Sequence, residues 1–145
     1  MGTYQVIEGS CHCGNLAVAA ALSHEPGHYQ PRACDCDFCC KHGASYLSDP
    51  AGRLRVAVRD EAAVTRYRQG SGQAEMIFCA RCGVLVGACY REGERLFAAV
   101  NRRIFSEEFG DEVPASPKML GPEDKSTRWL QLWFADVHID RLLEH

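Results

Sequence analysis

The 145-residue sequence lacks the features that mark membrane, secreted and repetitive proteins. It has no run of about 18 apolar residues, the length that a membrane-spanning helix needs. Its first residues carry neither the basic segment nor the apolar segment of a secretory signal, so we expect a cytoplasmic protein. Internal repeats and low-complexity segments are also missing, which excludes a repeat architecture.

The sequence also has little net charge, with a formal value of -3 and a pI near 6.0. This balance argues against a nucleic-acid partner, because such a partner calls for a basic surface. The hydrophobic fraction of 46% is that of an ordinary globular protein. The length suits one domain, which we predict to span residues 1–142, and residues 143–145 have the composition of a cloning-tag remnant.

Cysteine, in contrast, is abundant, with nine residues in the chain. Four of them fall between Cys34 and Cys40, in the segment Cys-Asp-Cys-Asp-Phe-Cys-Cys. Cysteines two or three residues apart seldom reach disulfide geometry without strain. The same spacing suits a tight loop around a soft metal ion, and reduced thiols persist in the cytoplasm. The sequence therefore predicts metal sites.

Two further cysteine pairs are each followed by a glycine. Cys79 and Cys82 form a Cys-X-X-Cys-Gly motif, and Cys11 and Cys13 form a Cys-X-Cys-Gly motif. The glycine lets the backbone turn back, so that both sulfurs of a pair face one ion. A Cys-X-X-Cys motif alone is also typical of redox pairs, but the presence of two pairs favours a shared, closed four-thiolate zinc site with a structural role.

The remaining cluster offers three thiolates, from Cys34, Cys36 and Cys39. Three protein ligands leave the fourth tetrahedral position to water or substrate, which is the pattern of catalytic zinc. His42 is the main competitor for that position, because it lies about one helical turn beyond Cys39. Cys40 is a poor fourth ligand, since adjacent side chains diverge, and Cys89 lies in an apolar strand.

Spacing alone leaves a second partition of the seven cysteines open. In that partition one ion is held by Cys11, Cys13, Cys34 and Cys36, and the other by Cys39, Cys79 and Cys82.

Hydrophobic patterning predicts a mainly β domain of many short strands. Alternation at residues 54–58 and 64–68 is typical of half-buried strands, whereas the alanine-rich segment 16–22 is ambiguous with a helix. We expect a short helix at residues 38–42, stopped by Gly43, and another at residues 104–109. Prolines between residues 101 and 125 argue against long elements there, and residues 129–134 suggest a buried strand or an aromatic cap.

The three cysteine groups, with their flanking residues, resemble the glutathione-dependent formaldehyde-activating enzyme family. The resemblance rests on the segments Gly-Ser-Cys-His-Cys-Gly, Cys-Asp-Cys-Asp-Phe-Cys-Cys-Lys-His-Gly-Ala and Phe-Cys-Ala-Arg-Cys-Gly, and it covers Val6 to about Val100. It implies a zinc-stabilised, mainly antiparallel β-tent fold with few short helices. It further implies a structural zinc on Cys11, Cys13, Cys79 and Cys82 and a catalytic zinc on Cys34, Cys36 and Cys39.

The implied activity is that of a carbon–sulfur lyase run in the direction of adduct formation, which joins formaldehyde to glutathione. In this interpretation the cysteines are ligands and none is the nucleophile, and His42 or Asp37 would carry the proton. Two departures from the family pattern, Asp35 for a frequent His and Cys40 for a frequent Arg, remove positive groups beside the second zinc and predict weaker glutathione binding. The alternative function is a non-catalytic zinc module that binds other proteins through its sheet.

Overall fold

The computed structural model describes residues 4–141. The predicted domain boundary at residue 142 and the predicted tag remnant lie outside these residues. The described part is mainly β, as the sequence predicts, with two α-helices, α1 (Asp37–His42) and α2 (Pro122–Leu132). Its strands are β1 (Gln5–Ser10), β2 (Leu16–Leu22), β3 (Arg32–Cys34), β4 (Tyr46–Leu47), β5 (Arg53–Val58), β6 (Val64–Arg68), β7 (Glu75–Cys79), β8 (Leu85–Glu92), β9 (Arg95–Asn101), β10 (Val113–Ala115) and β11 (Asp136–Arg141).

The strands form a four-stranded sheet, in the order β1-β2-β5-β11, and a seven-stranded sheet, in the order β10-β3-β4-β9-β8-β7-β6. The inner pairings of both sheets are antiparallel. Two edge strands are parallel to their neighbours, β11 to β5 and β10 to β3. Both parallel pairs join distant segments of the chain, so local patterning gives no signal for them.

A first core fills the space between the two sheets. In β2 every second residue is buried, from Leu16 to Leu22, which resolves the strand-or-helix ambiguity in favour of a strand. Leu54 and Val56 of β5 face the same cluster, together with Val100 from the other sheet. Burying one such aliphatic side chain contributes about 1.5–3 kcal/mol, so this layer holds the two sheets together.

A second core lies on the opposite face of the seven-stranded sheet. Successive residues of β9 alternate between the two cores, with Ala98 and Val100 in the first core and Phe97 and Ala99 in the second. This strand is buried on both faces, which explains its uninterrupted apolar sequence. Trp133, which follows α2, completes the second core.

The C-terminal region differs from the sequence-based predictions. The 11-residue helix α2 replaces the strand or aromatic cap expected at residues 129–134, and no α-helix forms at residues 104–109. Helix α2 can form despite Pro122, because this proline lies in the first turn, where its missing N–H costs nothing. Glu123 and Asp124 add favourable charge at this end of the helix. The short helix predicted at residues 38–42 does form, and Gly43 caps it.

Among residues 4–141, no helix has the length and apolar character needed to cross a membrane.

Candidate active site and metal centres

The four-sulfur cluster joins the two sheets. The Sγ atoms of its cysteines lie within 4.8 Å of one another. Cys11 follows β1 of the four-stranded sheet, whereas Cys79 ends β7 of the seven-stranded sheet. The turn after each of these strands places the second cysteine of the pair next to the first. The full cluster consists of Cys11, Cys13, Cys79 and Cys82.

Both turns of this cluster are closed by the same type of backbone hydrogen bond, from the first cysteine to the residue five positions later. The Cys11 N–H donates to the carbonyl of Leu16 over 3.0 Å, and the Cys79 N–H donates to the carbonyl of Val84 over 3.1 Å. The glycine inside each turn has a positive φ, 85° at Gly14 and 78° in the other turn. An L side chain rarely adopts this conformation, which explains the glycine after each cysteine pair.

Backbone N–H groups also point at the sulfurs. The Leu16 and Arg81 N–H groups each donate over 3.3 Å, to the Sγ of Cys11 and of Cys79 respectively. Although burial opposes ionisation, hydrogen bonds from backbone N–H groups lower the pKa of Cys82 to about 6. These contacts favour the thiolate form that binds metal.

The spacing of the four sulfurs fits a zinc ion. The Sγ of Cys13 lies 3.8 Å from that of Cys11 and 3.5 Å from that of Cys79. Thiolates bound at about 2.3 Å in a tetrahedron place their sulfurs roughly 3.8 Å apart. All four tetrahedral positions would then be filled by protein, which suits a structural ion.

The three-sulfur cluster is built within six consecutive residues. Cys34 ends β3, Cys36 caps α1 and Cys39 lies inside that helix, and their Sγ atoms fall within 4.8 Å of one another. The Cys36 sulfur accepts a hydrogen bond from the Cys39 N–H over 3.4 Å. A hydrogen bond from the Cys39 thiol lowers the pKa of Cys34 to about 6, which again favours a thiolate.

Two polar side chains donate toward these sulfurs. The buried Tyr46 hydroxyl lies 3.1 Å from the Sγ of Cys39. Burial raises the pKa of Tyr46, so its phenol stays protonated and can donate to the Cys39 sulfur once that sulfur is a metal-bound thiolate. The Gln69 amide N–H donates to the sulfur of Cys36 over 3.9 Å. Donors of this kind orient metal ligands and tune their basicity.

The three residues considered as a fourth ligand, His42, Cys40 and Cys89, do not join the three-sulfur cluster. The His42 ring packs 4.7 Å from the ring of Phe38, and the exposed thiol of Cys40 points at the backbone carbonyl of Cys34. Burial raises the pKa of Cys89 to about 12, as expected for a core thiol. Within residues 4–141, no fourth His, Cys, Asp or Glu atom joins the three sulfurs, and the structure forms the four-plus-three grouping rather than the alternative partition.

The three sulfurs open into a cavity of about 140 Å³. Four cationic side chains line it, from Arg32, Lys118, Lys125 and Arg128, while no carboxylate does. Among the described residues, none of these four cations forms an ion pair, whereas exposed arginines such as Arg53 and Arg81 do. Burial, followed by repulsion from Arg128, lowers the pKa of Arg32. Unpaired cations held close together favour an anionic ligand.

These cations were missed in the sequence because they come from separate parts of the chain. Arg32 lies in β3, Lys118 follows β10, and Lys125 and Arg128 lie on one face of α2. The cavity thus contains cationic groups, although Asp35 and Cys40 replace two that the family pattern often has. The Asp35 carboxylate instead accepts a hydrogen bond from the Ser116 hydroxyl, which ties the cysteine loop to the segment after β10.

Comparison with known proteins agrees with this arrangement. The family model described as glutathione-dependent formaldehyde-activating enzyme matches residues 6–116. A crystal structure of a Rhodobacter sphaeroides protein, determined as a structural-genomics target, is similar with a TM-score of 0.53 and 27% sequence identity. The alignment covers 81% of this chain and 94% of that chain. The chain therefore belongs to the glutathione-dependent formaldehyde-activating enzyme family.

Proposed function

We propose that this protein is a zinc-dependent carbon–sulfur lyase of the cytoplasm, which forms or breaks the adduct of a thiol such as glutathione with a small aldehyde. One observation carries the proposal. Three thiols with no fourth ligand face a cavity lined by four cations that form no ion pair among the described residues. This combination suits a metal with a free position and a substrate that is both a thiol and an anion.

In the proposal, Cys34, Cys36 and Cys39 hold the catalytic zinc, and Cys11, Cys13, Cys79 and Cys82 hold the structural zinc. The catalytic zinc would supply Lewis acidity that lowers the pKa of the substrate thiol. The cysteines act as ligands only, and Tyr46 keeps Cys39 in place through its hydrogen bond of 3.1 Å.

The cations orient the thiol substrate. Glutathione carries two carboxylates, and an arginine guanidinium binds a carboxylate through two parallel hydrogen bonds. Arg128 offers such a fork, whereas one guanidinium nitrogen of Arg32 already donates to the Ser48 hydroxyl. Lys118 and Lys125 act as point charges. Holding the carboxylates at the cationic side directs the substrate sulfur toward the three cysteines.

The reaction is an addition with no change of oxidation state. The substrate thiol releases its proton, its sulfur attacks the carbonyl carbon and a carbon–sulfur bond forms. The π electron pair moves to the carbonyl oxygen, which takes up one proton in exchange. The reverse steps break the adduct. Neither Asp37 nor His42, the expected proton carriers, lines the cavity. In the proposal the proton exchanges with solvent in the cavity.

An NMR exchange experiment tests this function. The zinc-loaded protein is added to an equilibrium mixture of glutathione and formaldehyde, and the rate of interconversion with S-hydroxymethylglutathione is measured. We expect faster exchange with the protein than with an equal concentration of free zinc, and no acceleration with Cys36→Ser. An exchange rate equal to that of free zinc would contradict the proposal and favour the non-catalytic zinc module.

A further inference from the structure

The cavity has an apolar wall that glutathione and formaldehyde do not account for. Trp129 and Trp133 of the α2 region stack with ring centroids 5.0 Å apart and an interplanar angle of 24°. Met76, Ala74 and Ala88 line the cavity beside them. Glutathione has no aromatic or branched apolar group, and only short methylene segments separate its polar groups, so it gains little from contact with such a surface.

The size of the cavity also exceeds what formaldehyde requires. A molecule of two heavy atoms takes up little more room than a water molecule, roughly 30 Å³. The cavity measures about 140 Å³, and in the proposal the thiol substrate takes up its cationic and cysteine-lined part. The aromatic surface of the remaining part, rather than the total volume, suits a phenyl ring.

The wall is held firmly in place. The Gln73 amide donates to the carbonyl of Pro122 over 3.0 Å at the start of α2. At the other end, Phe134 exchanges two backbone hydrogen bonds with Ala98 of β9. The Tyr90 ring packs 5.2 Å from the Trp129 ring on the side of β8. The aromatic surface is therefore pre-formed, which lowers the cost of ligand binding.

The wall lies outside the part of the chain that matches the family model. That match ends at residue 116, whereas α2 begins at Pro122. The metal-binding cysteines and Arg32 fall within the matched region, but both tryptophans fall beyond it. Lys118, Lys125 and Arg128 also lie beyond residue 116, so family membership supports the metal site, while most of the cations and the aromatic wall of the cavity belong to the rest of the chain.

We infer that the aldehyde substrate carries an aromatic substituent of about phenyl size, which stacks against Trp129 and Trp133. The inference rests on the proposed function and specifies its aldehyde. Phenylacetaldehyde is the simplest representative. Its addition to glutathione follows the same balance as that of formaldehyde, because the thiol adds across the carbonyl, the oxygen takes the proton, and nothing is oxidised or reduced.

Comparison of two aldehydes tests the inference. The rates of adduct formation by glutathione are measured for phenylacetaldehyde and formaldehyde with the zinc-loaded protein, and the ratio of the two kcat/KM values is taken after subtraction of the uncatalysed rates. We expect the ratio to favour phenylacetaldehyde and to fall about tenfold or more in Trp129→Ala, as pocket contacts of this size typically discriminate. Trp129→Phe should retain most of the preference.

Leu130→Ala is the matched control. Leu130 lies next to Trp129 in α2, is 38% exposed and does not line the cavity. The ratio should stay at its wild-type value in this variant, and thermal melting should show that all three variants fold. Acceleration of the formaldehyde reaction alone would overturn the inference and leave the proposed function intact. No acceleration with either aldehyde would contradict the proposed function itself.

Tryptophan fluorescence gives a second readout that needs no turnover. S-benzylglutathione and S-methylglutathione share the carboxylates of glutathione but differ in the phenyl ring. We expect S-benzylglutathione to quench the fluorescence at about tenfold lower concentration, and this advantage should disappear in Trp129→Ala. Equal affinities for the two compounds would contradict a phenyl site on this wall.

Discussion

The two cysteine clusters differ in the sequence separation between the cysteines that form them. The four-sulfur cluster joins residues as far as 71 positions apart in the sequence, Cys11 and Cys82, and links one sheet to the other. The three-sulfur cluster uses only residues 34–39 and lies beside the cavity. Cross-linking distant segments restricts the unfolded chain strongly, whereas a local loop restricts it little. We therefore expect the first cluster to stabilise the fold and the second to lose a bound metal ion without unfolding.

Removing a cysteine from the four-sulfur cluster should have the largest effect on the stability of the fold. We expect Cys82→Ser to abolish cooperative thermal unfolding, because structural zinc in small domains contributes about 10 kcal/mol or more to folding. Circular dichroism on heating and the zinc content of the purified protein measure this. Cys40→Ser is the control, since the Cys40 thiol is exposed and belongs to neither cluster. A Cys82→Ser melting curve like that of Cys40→Ser would contradict the structural role.

Removing a ligand from the three-sulfur cluster should affect activity instead of folding. We expect Cys36→Ser to lose one metal ion per chain and all catalysis, while its melting temperature stays within a few degrees of wild type. The fold survives because serine is a good N-cap and replaces the contact that the Cys36 sulfur makes with the Cys39 N–H. Cys36→Ala, which lacks that contact, should lose about 1 kcal/mol of stability in addition.

Urea unfolding of the two Cys36 variants separates the effects of capping and metal binding. If Cys36→Ser melted as low as Cys82→Ser, the difference between the clusters would be lost.

Removing one cavity cation should weaken binding of the charged thiol. We expect Arg128→Ala to raise the KM for glutathione about tenfold or more, since a hydrogen bond to a charged group is worth about 1.5–3 kcal/mol. The KM for uncharged 2-mercaptoethanol should hardly change. Arg59→Ala is a suitable control, because Arg59 is exposed and follows β5 of the other sheet. Equal losses with both thiols would indicate structural damage.

The smallest expected effect concerns the hydrogen bond to Cys39. Tyr46→Phe removes the hydroxyl that lies 3.1 Å from the Cys39 sulfur but keeps the ring in the core. We expect about a tenfold loss of zinc affinity at the three-sulfur cluster, as is usual when a partner of a metal ligand is removed. Competition with a zinc-binding dye measures it. The four-sulfur cluster should keep its affinity in the same titration.

The cysteine motifs were predictable because their information is local. The turns around Cys11 and Cys79 each lie within six residues, and the glycines that close them are visible in the sequence. Helix α1 and strands β5 and β6 were predicted for the same reason, since alternation and a stop signal fall within short windows. The mainly β prediction is confirmed.

The cavity was not predictable, because tertiary structure assembles it. Pro122 and the nearby turn residues indicated an interruption, yet this proline starts α2. That helix brings Arg128 and the two tryptophans to the face where Arg32 arrives from β3. The parallel pairing of β11 with β5, which returns the chain after α2, depends on contacts between distant segments. Only the spacing of Lys125, Trp129 and Trp133, four residues apart, hinted at a shared helical face.

Stepwise removal of metal tests the division between the two clusters most directly. The protein is loaded with Co²⁺, a mild chelator is added in steps, and the sulfur–cobalt absorption bands and the circular dichroism are recorded with and without glutathione. We expect one ion to leave first with the fold retained, and glutathione to change the spectrum of that ion only. Two ions that leave together, and whose spectra glutathione does not alter, would contradict the account.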